Sequence, residues 1–150
     1  MLVSKNNQLC QIVFENRIST YLKNVESIKK EISNDKLDKC LSNSIKQISE
    51  YFTNRRKTFN IKFHLTLPPF YNKVLNEVRN IPYGEVRTYK EIANKVGNPN
   101  AYRAAGTANA KNMLPVIIPC HRVIGKDGDL GGYGGGLKIK KYLLKMEGVI

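Results

Sequence analysis

The sequence predicts an α/β (α+β) chain in two parts. A small N-terminal strand–helix lobe over residues 1–67 precedes a helical domain over residues 68–150 built round a helix-turn-helix. Three observations predict it. Phe59, Ile61, Phe63 and Leu65 alternate with Asn60, Lys62 and His64, the period of a half-buried strand. Pro68-Pro69 then breaks the chain. Beyond it, apolar residues recur at three and four positions in short runs separated by Gly and Pro turns.

In order, the first lobe reads as strand-like segments over 9–19 and 58–67 around a polar helical stretch over about 25–52. Leu41, Ile45, Ile48 and Phe52 form one apolar helical stripe there. His64 falls on the polar face of its strand and reads as a surface residue, and no catalytic residue is expected in this lobe. In the second part Phe70, Val74, Val78 and Ile81 mark a helix stopped by Pro82 and the Tyr83-Gly84 turn. Thr88, with Glu91 three residues on, predicts a capping box opening a helix over 89–96. Gly97 ends it, and Asn98-Pro99 turns the chain into a third helix over 101–110. Helix, short glycine turn, helix is the plan of a DNA-binding motif that also occurs in many other folds.

Lys and Arg number 25 against 12 Asp and Glu, a net charge of +13 spread evenly over both parts. Such an excess points to a polyanionic partner, nucleic acid first. Hydrophobic residues at 41% and charged residues at 25% exclude a disordered tail and a collagen-like repeat. Cys10, Cys40 and Cys120 are odd in number and widely spaced, so reduced thiols are expected and no zinc ligand set is evident. No apolar run has membrane-spanning or signal-peptide length, and a cytoplasmic protein is expected.

The third helix carries almost only small side chains, with Arg103 its one cation. Such a helix either approaches a groove or phosphate closely or packs tightly on a neighbour with Arg103 exposed. Leu114-Pro115-Val116-Ile117-Ile118-Pro119 must be buried, and it delivers Cys120-His121-Arg122. A free thiol titrates at about 8.5, and an imidazole and a cation are the groups that activate it. His121 is thus a candidate base and Arg122 a candidate activating cation. The glycines from Gly128 to Gly136 match no phosphate-loop pattern, but they permit close approach of a flat ligand. Leu137, Tyr142, Leu143 and Met146 define a closing helix with basic Lys138, Lys140, Lys141 and Lys145. Glu147 at its end is, by itself, a salt-bridge partner.

Pro119-Cys120-His121-Arg122-Val123, with Asn112 and Ile117-Ile118 before it, resembles the active-site motif of the O6-alkylguanine-DNA alkyltransferases. Tyr83-Gly84-Glu85-Val86, Thr88-Tyr89, Gly97-Asn98-Pro99, Arg103-Ala104-Ala105-Gly106, Gly132-Tyr133 to Leu137, and Glu147-Gly148 extend the resemblance over about residues 70–150. It implies a winged helix-turn-helix-like alkyltransferase domain. It also implies repair of O6-alkylguanine, chiefly O6-methylguanine, in double-stranded DNA by stoichiometric, irreversible transfer of the alkyl group to Cys120.

Residue by residue, the resemblance makes Cys120 the acceptor, His121 its base through a water, and Glu147 the group orienting the imidazole. Asn112 braces the turn before the cysteine. Tyr89, Tyr133 and the Gly134 amide contact the guanine, and Arg103 fills the space of the flipped nucleotide. Tyr102, Ala104, Gly106 and Thr107 share the DNA-facing helix with Arg103. Base flipping is a physical need, because a guanine in a duplex cannot reach a buried thiol. No metal, cofactor, membrane or obligatory protein partner is implied, and a monomer is expected, nucleoid-associated through DNA or nuclear in a eukaryote. Gly134 stands where many relatives have Ser, and Tyr102 where a small residue is common; Tyr102 stacks on DNA or turns inward. The alternative is a lesion-binding alkyltransferase-like protein that flips the base without transfer; those lack the cysteine. A transcription factor would leave Cys-His-Arg and Glu147 unexplained.

Overall fold

The computed structural model describes residues 1–17 and 39–150. They fall into two compact units, Met1–His64 and Leu65–Ile150. In the first, β1 (Leu2–Lys5) and β2 (Gln8–Ile12) form an antiparallel hairpin. Its two-residue turn, Asn6-Asn7, has φ of 52° and 57°, the left-handed pair that matches strand twist. The strand expected over 9–19 ends at Ile12, and Glu15–Arg17 forms a 3₁₀ turn; Ile18 and Ser19 lie outside the described residues. β1 was not expected.

The segment expected as a strand over 58–67 joins the hairpin at a single bridge. The Leu9 amide donates to the Lys62 carbonyl (2.9 Å), and the His64 amide donates to the Leu9 carbonyl (3.0 Å). Its alternation is nevertheless physical: Ile61 is buried, and Asn60, Lys62 and His64 are exposed.

Helix α1 spans Lys39–Phe52; the earlier part of the helical stretch expected over 25–52 lies outside the described residues. The stripe expected to be its core is displaced by one residue. Ile45 and Phe52 are exposed, while Cys40, Ser44, Gln47 and Tyr51 are buried. The reason is hydrogen bonding. Gln47 clamps Asn60 with Nε2 donating to its carbonyl (2.9 Å) and Oε1 accepting from its amide (2.8 Å), and Ser44 Oγ donates to the Cys40 carbonyl (2.7 Å). A satisfied amide is buried cheaply. Tyr51 is packed edge-on to Phe52 and tilted against Phe59.

The second unit is helical. α2 (Pro69–Arg79) begins with proline at its first position, where the missing N–H costs nothing. It buries Val74, Leu75 and Val78. β3 (Arg87–Thr88) leads into α3 (Tyr89–Lys95), and α4 (Tyr102–Ala110) follows the Gly97 turn (φ 80°). The expected capping box is complete. Glu91 N donates to Thr88 Oγ1 (3.2 Å), and Thr88 N donates to Glu91 Oε2 (2.6 Å). Thr88→Ala is expected to cost about 1 kcal/mol of stability, measured as a lowered denaturant midpoint at unchanged slope. α4 packs Ala105, Ala108 and Asn109 inward, against α2 and α3.

After α4 the chain runs through a wholly buried arm, residues 114–119, into a 3₁₀ turn, Cys120–Arg122. β4 (Val123–Ile124) pairs in parallel with β3, Thr88 opposite Ile124, so the start of α3 lies beside the chain leaving the cysteine. α5 (Leu137–Met146) closes the unit. Its expected apolar set is half wrong: Leu143 is buried, but Leu137 and Tyr142 are exposed. Lys140, read as one of its basic residues, is fully buried. Among the described residues no helix is long and apolar enough to cross a membrane.

Candidate active site

The arm holds its shape through one side chain. Asn112 accepts from the Leu114 amide (2.9 Å) and donates through Nδ2 to the Ile118 carbonyl (2.8 Å) and to Cys120 Sγ (3.1 Å). Within the arm Val116 takes φ 75°, a left-handed conformation that a β-branched residue rarely adopts. Such strain persists only where the surroundings over-determine it. Cys120 is 5% exposed. Burial pushes its thiol up to about 11, against the Asn112 bond and the charge of Lys140. At neutral pH the resting sulfur is therefore S–H.

His121 is completely buried, and its Nε2 shares a hydrogen bond with Glu147 Oε1, 2.9 Å away. Glu147 also receives Arg122 Nε on Oε2 (2.8 Å) and Arg122 Nη2 on Oε1 (2.9 Å). A doubly bonded carboxylate this well paired is ionised, so His121 carries its hydrogen on Nε2 and leaves Nδ1 as a lone pair. Nδ1 has no partner among the described residues. Burial holds the imidazole below its ordinary 6.5, with Glu147 opposing, so at neutral pH it is an unprotonated base. Gly84 lets the backbone approach the carboxylate from behind. Its amide reaches Glu147 Oε2 at 3.4 Å, and at φ 80° a Cβ there would meet the Glu147 carbonyl at 3.3 Å.

Arg122 does not activate the thiol, contrary to the expectation from its position. It turns to Glu147, donates to the Ile81 carbonyl (2.6 Å) and lies over the Tyr83 ring, whose hydroxyl bonds the Met146 carbonyl. The cation that acts on Cys120 is Lys140. Its ammonium donates to the Val123 carbonyl (2.6 Å) and to the Leu130 carbonyl, tying α5 to the chain on either side of the Gly125–Asp129 turn. Burial brings it down to about 8.

Tyr133 meets His121 edge-on with centroids 6.4 Å apart. A Cβ on Gly134 would meet nothing within 4 Å. The Tyr89 ring lies along Gly106 and Gly131; a Cβ on Gly131, at φ 59°, would come within 3.2 Å of the Tyr89 hydroxyl. Asn109, on α4, donates through Nδ2 to the Cys120 carbonyl (3.1 Å). On the outer side of α4, Tyr102, Arg103 and Thr107 are exposed, with Ala104 and Gly106 half-buried between them. Tyr102 turns outward rather than inward, and the Arg103 guanidinium sits 5.8 Å from its ring centroid. Among the described residues no group of three His, Cys, Asp or Glu could hold a metal.

A family model described as the DNA-binding domain of 6-O-methylguanine DNA methyltransferase matches residues 69–149. The chain belongs to this methyltransferase family. The methylated-DNA–protein-cysteine methyltransferase of Methanosarcina acetivorans is 50% identical over 103 residues, 69% of this chain and 66% of that protein. The constitutive methylated-DNA–protein-cysteine methyltransferase of Bacillus subtilis is 47% identical over 108 residues, 71% of this chain and 66% of its own length. The matched stretch thus spans just under two thirds of these curated relatives. A crystal structure of Mycobacterium tuberculosis OGT in complex with DNA superposes with a TM-score of 0.80 at 33% identity, covering 97% of this chain and 84% of that one.

The methyltransferase match contains every site residue expected from sequence. Two residues that bear on Cys120, one through its charge and one through the cysteine's backbone carbonyl, were missed. Lys140 was hidden among four lysines of one helix, and only its three-residue offset from the buried Leu143 distinguished it. Asn109 sat in a helix read as almost only small side chains, where a polar residue on the Ala105–Ala108 face was the available signal.

Proposed function

We propose that this chain repairs O6-alkylguanine, chiefly O6-methylguanine, in double-stranded DNA by moving the alkyl group once and irreversibly onto Cys120. One observation carries the reading: a buried thiol is followed in the chain by a buried imidazole whose Nε2 is held by a carboxylate and whose Nδ1 lone pair has no partner among the described residues. The sulfur attacks the alkyl carbon as the carbon–O6 bond breaks, and the bond pair leaves on guanine. The thiol proton goes to His121 Nδ1 through a water, and Glu147 stabilises the imidazolium. No cofactor is needed, since the alkyl group is itself the electrophile.

In this reading Tyr89 hydrogen-bonds the base and helps to neutralise it as it leaves. Tyr133 and the Gly134 amide line the pocket, and Asn112 sets the sulfur. Arg103 occupies the place of the flipped nucleotide, with Tyr102, Ala104, Gly106 and Thr107 against the duplex. The exposed Arg103–Tyr102 pair on a small-residue helix supports that assignment, as does the DNA complex of the mycobacterial relative. The protein acts as a monomer.

The test is intact and peptide mass after mixing with a duplex bearing one O6-methylguanine. A gain of one CH₂ on the Cys120 peptide, at most one per chain, is the expected result. Tight lesion binding without a mass change would replace this reading by lesion recognition alone. The rate should also respond to pH in one direction. Because His121 must be unprotonated to act, transfer falls as pH falls through its folded-state value, which lies below 6.5, and is flat just above it. An acid limb centred above 6.5 in single-turnover kinetics would contradict this.

A further inference from the structure

We propose that Lys140 is a positioning residue for alkyl transfer: it holds both ends of the glycine run 131–136 and so fixes the wall against which the guanine is seated. This rests on the alkyl-transfer reading above and deepens it. Five of the six residues in that run are glycine, and Tyr133 is the sixth. Such a chain has more backbone freedom to lose than an ordinary segment of its length. Packing within the run offsets little of that, since a Cβ at Gly132, Gly134 or Gly136 would meet nothing within 4 Å. The run must therefore be held at its ends.

At the far end the Lys140 backbone amide donates to the Gly136 carbonyl (3.2 Å) as α5 begins. At the near end the Lys140 ammonium donates to the carbonyl of Leu130, the residue before Gly131. The same ammonium donates to the Val123 carbonyl (2.6 Å), and Val123 is anchored by its parallel pairing with Arg87. One residue thus ties the start of the run to a strand and its end to a helix. The backbone so held lies close on Tyr89, at the point where Gly131 leaves no space for a Cβ beside the hydroxyl. The choice of lysine is itself informative. The side chain is wholly buried, and no carboxylate forms an ion pair with it among the described residues. Burying an ammonium without a counter-charge is unfavourable, and methionine would fill a similar volume without that penalty. What methionine lacks is a donor that reaches two carbonyls on separate stretches of chain.

Lys140→Met on the full chain tests this with two electrophiles, each read as mass gained on the Cys120 peptide. One is the O6-methylguanine duplex, which needs the wall. The other is iodoacetamide, a small reagent that meets the sulfur without it. The substitution is expected to slow transfer at saturating duplex by about 10–10²-fold, the cost of a misplaced substrate, while iodoacetamide alkylates Cys120 within about threefold of the unsubstituted rate. An equal slowing of both reactions would assign Lys140 to the charge on the sulfur and overturn the proposal. Alkylation by iodoacetamide speeded beyond that range would mean an opened cysteine turn, and would overturn it too, as would transfer at the unsubstituted rate. Should Lys140→Met melt below the assay temperature, Lys140→Gln, too short to span both carbonyls, takes its place with the same two readouts. Absence of transfer by the unsubstituted chain would instead remove the alkyl-transfer reading itself, and this proposal with it.

Discussion

Cys120→Ser is expected to abolish alkyl transfer, by about 10⁴-fold or more, while leaving lesion binding intact. The site that pushes a thiol up to about 11 stabilises a serine alkoxide far less, and a neutral hydroxyl is a poor nucleophile towards carbon. The substitution is nearly isosteric, and the Asn112 bond to Ile118 does not depend on sulfur, so the arm should keep its shape. The measurement is the intact mass of the variant after long incubation with excess lesion duplex, alongside a binding titration. A methyl group found on the Cys120→Ser variant, wherever it mapped, would remove Cys120 as the acceptor. Binding lost together with transfer would place the cysteine among the groups that hold DNA.

The second large effect is on both rate and stability. Glu147→Gln should slow transfer by about 10²–10⁴-fold, because the imidazolium formed on proton transfer loses its counter-charge. It should also lower folding stability by about 3–5 kcal/mol, since Arg122 would be left as a buried cation without an anion. These two consequences are separable. Adding Arg122→Met to Glu147→Gln removes the orphaned charge, so the denaturant midpoint should recover in large part while transfer stays slow. If the double variant regained transfer as well as stability, Glu147 would serve the fold and not the proton.

Much of the second unit was legible in sequence, because its signals are local. The Thr88–Glu91 box and Gly97 at a helix end are each decided within a few residues, and the structure shows both. The proline-bracketed arm was equally plain, since six consecutive apolar residues leave no face for water. Direction was what the sequence withheld. In a 3₁₀ turn successive side chains point about 120° apart, so Cys120, His121 and Arg122 face different surroundings although they are neighbours in the chain. Adjacency therefore suggested the wrong cation, and Lys140, 20 residues on, supplies the charge. On α1 the buried face is chosen by Gln47 and its Asn60 partner, 13 residues apart, a pairing to which hydrophobic periodicity is blind.

The Asn112 amide joins two jobs in one nitrogen, stitching the Ile118 carbonyl and touching the sulfur. A thioether would place an extra carbon beside that nitrogen at a sulfur only 5% exposed, so capping the sulfur is expected to shift the stitch. On the alkyl-transfer reading the protein would behave like a fuse: the act that removes a lesion would also rewrite the local wiring of the molecule that removed it. Spent and unspent copies would then differ in backbone geometry as well as by one small group under the surface, a difference that machinery sensing loosened chains could read without ever meeting the alkyl group.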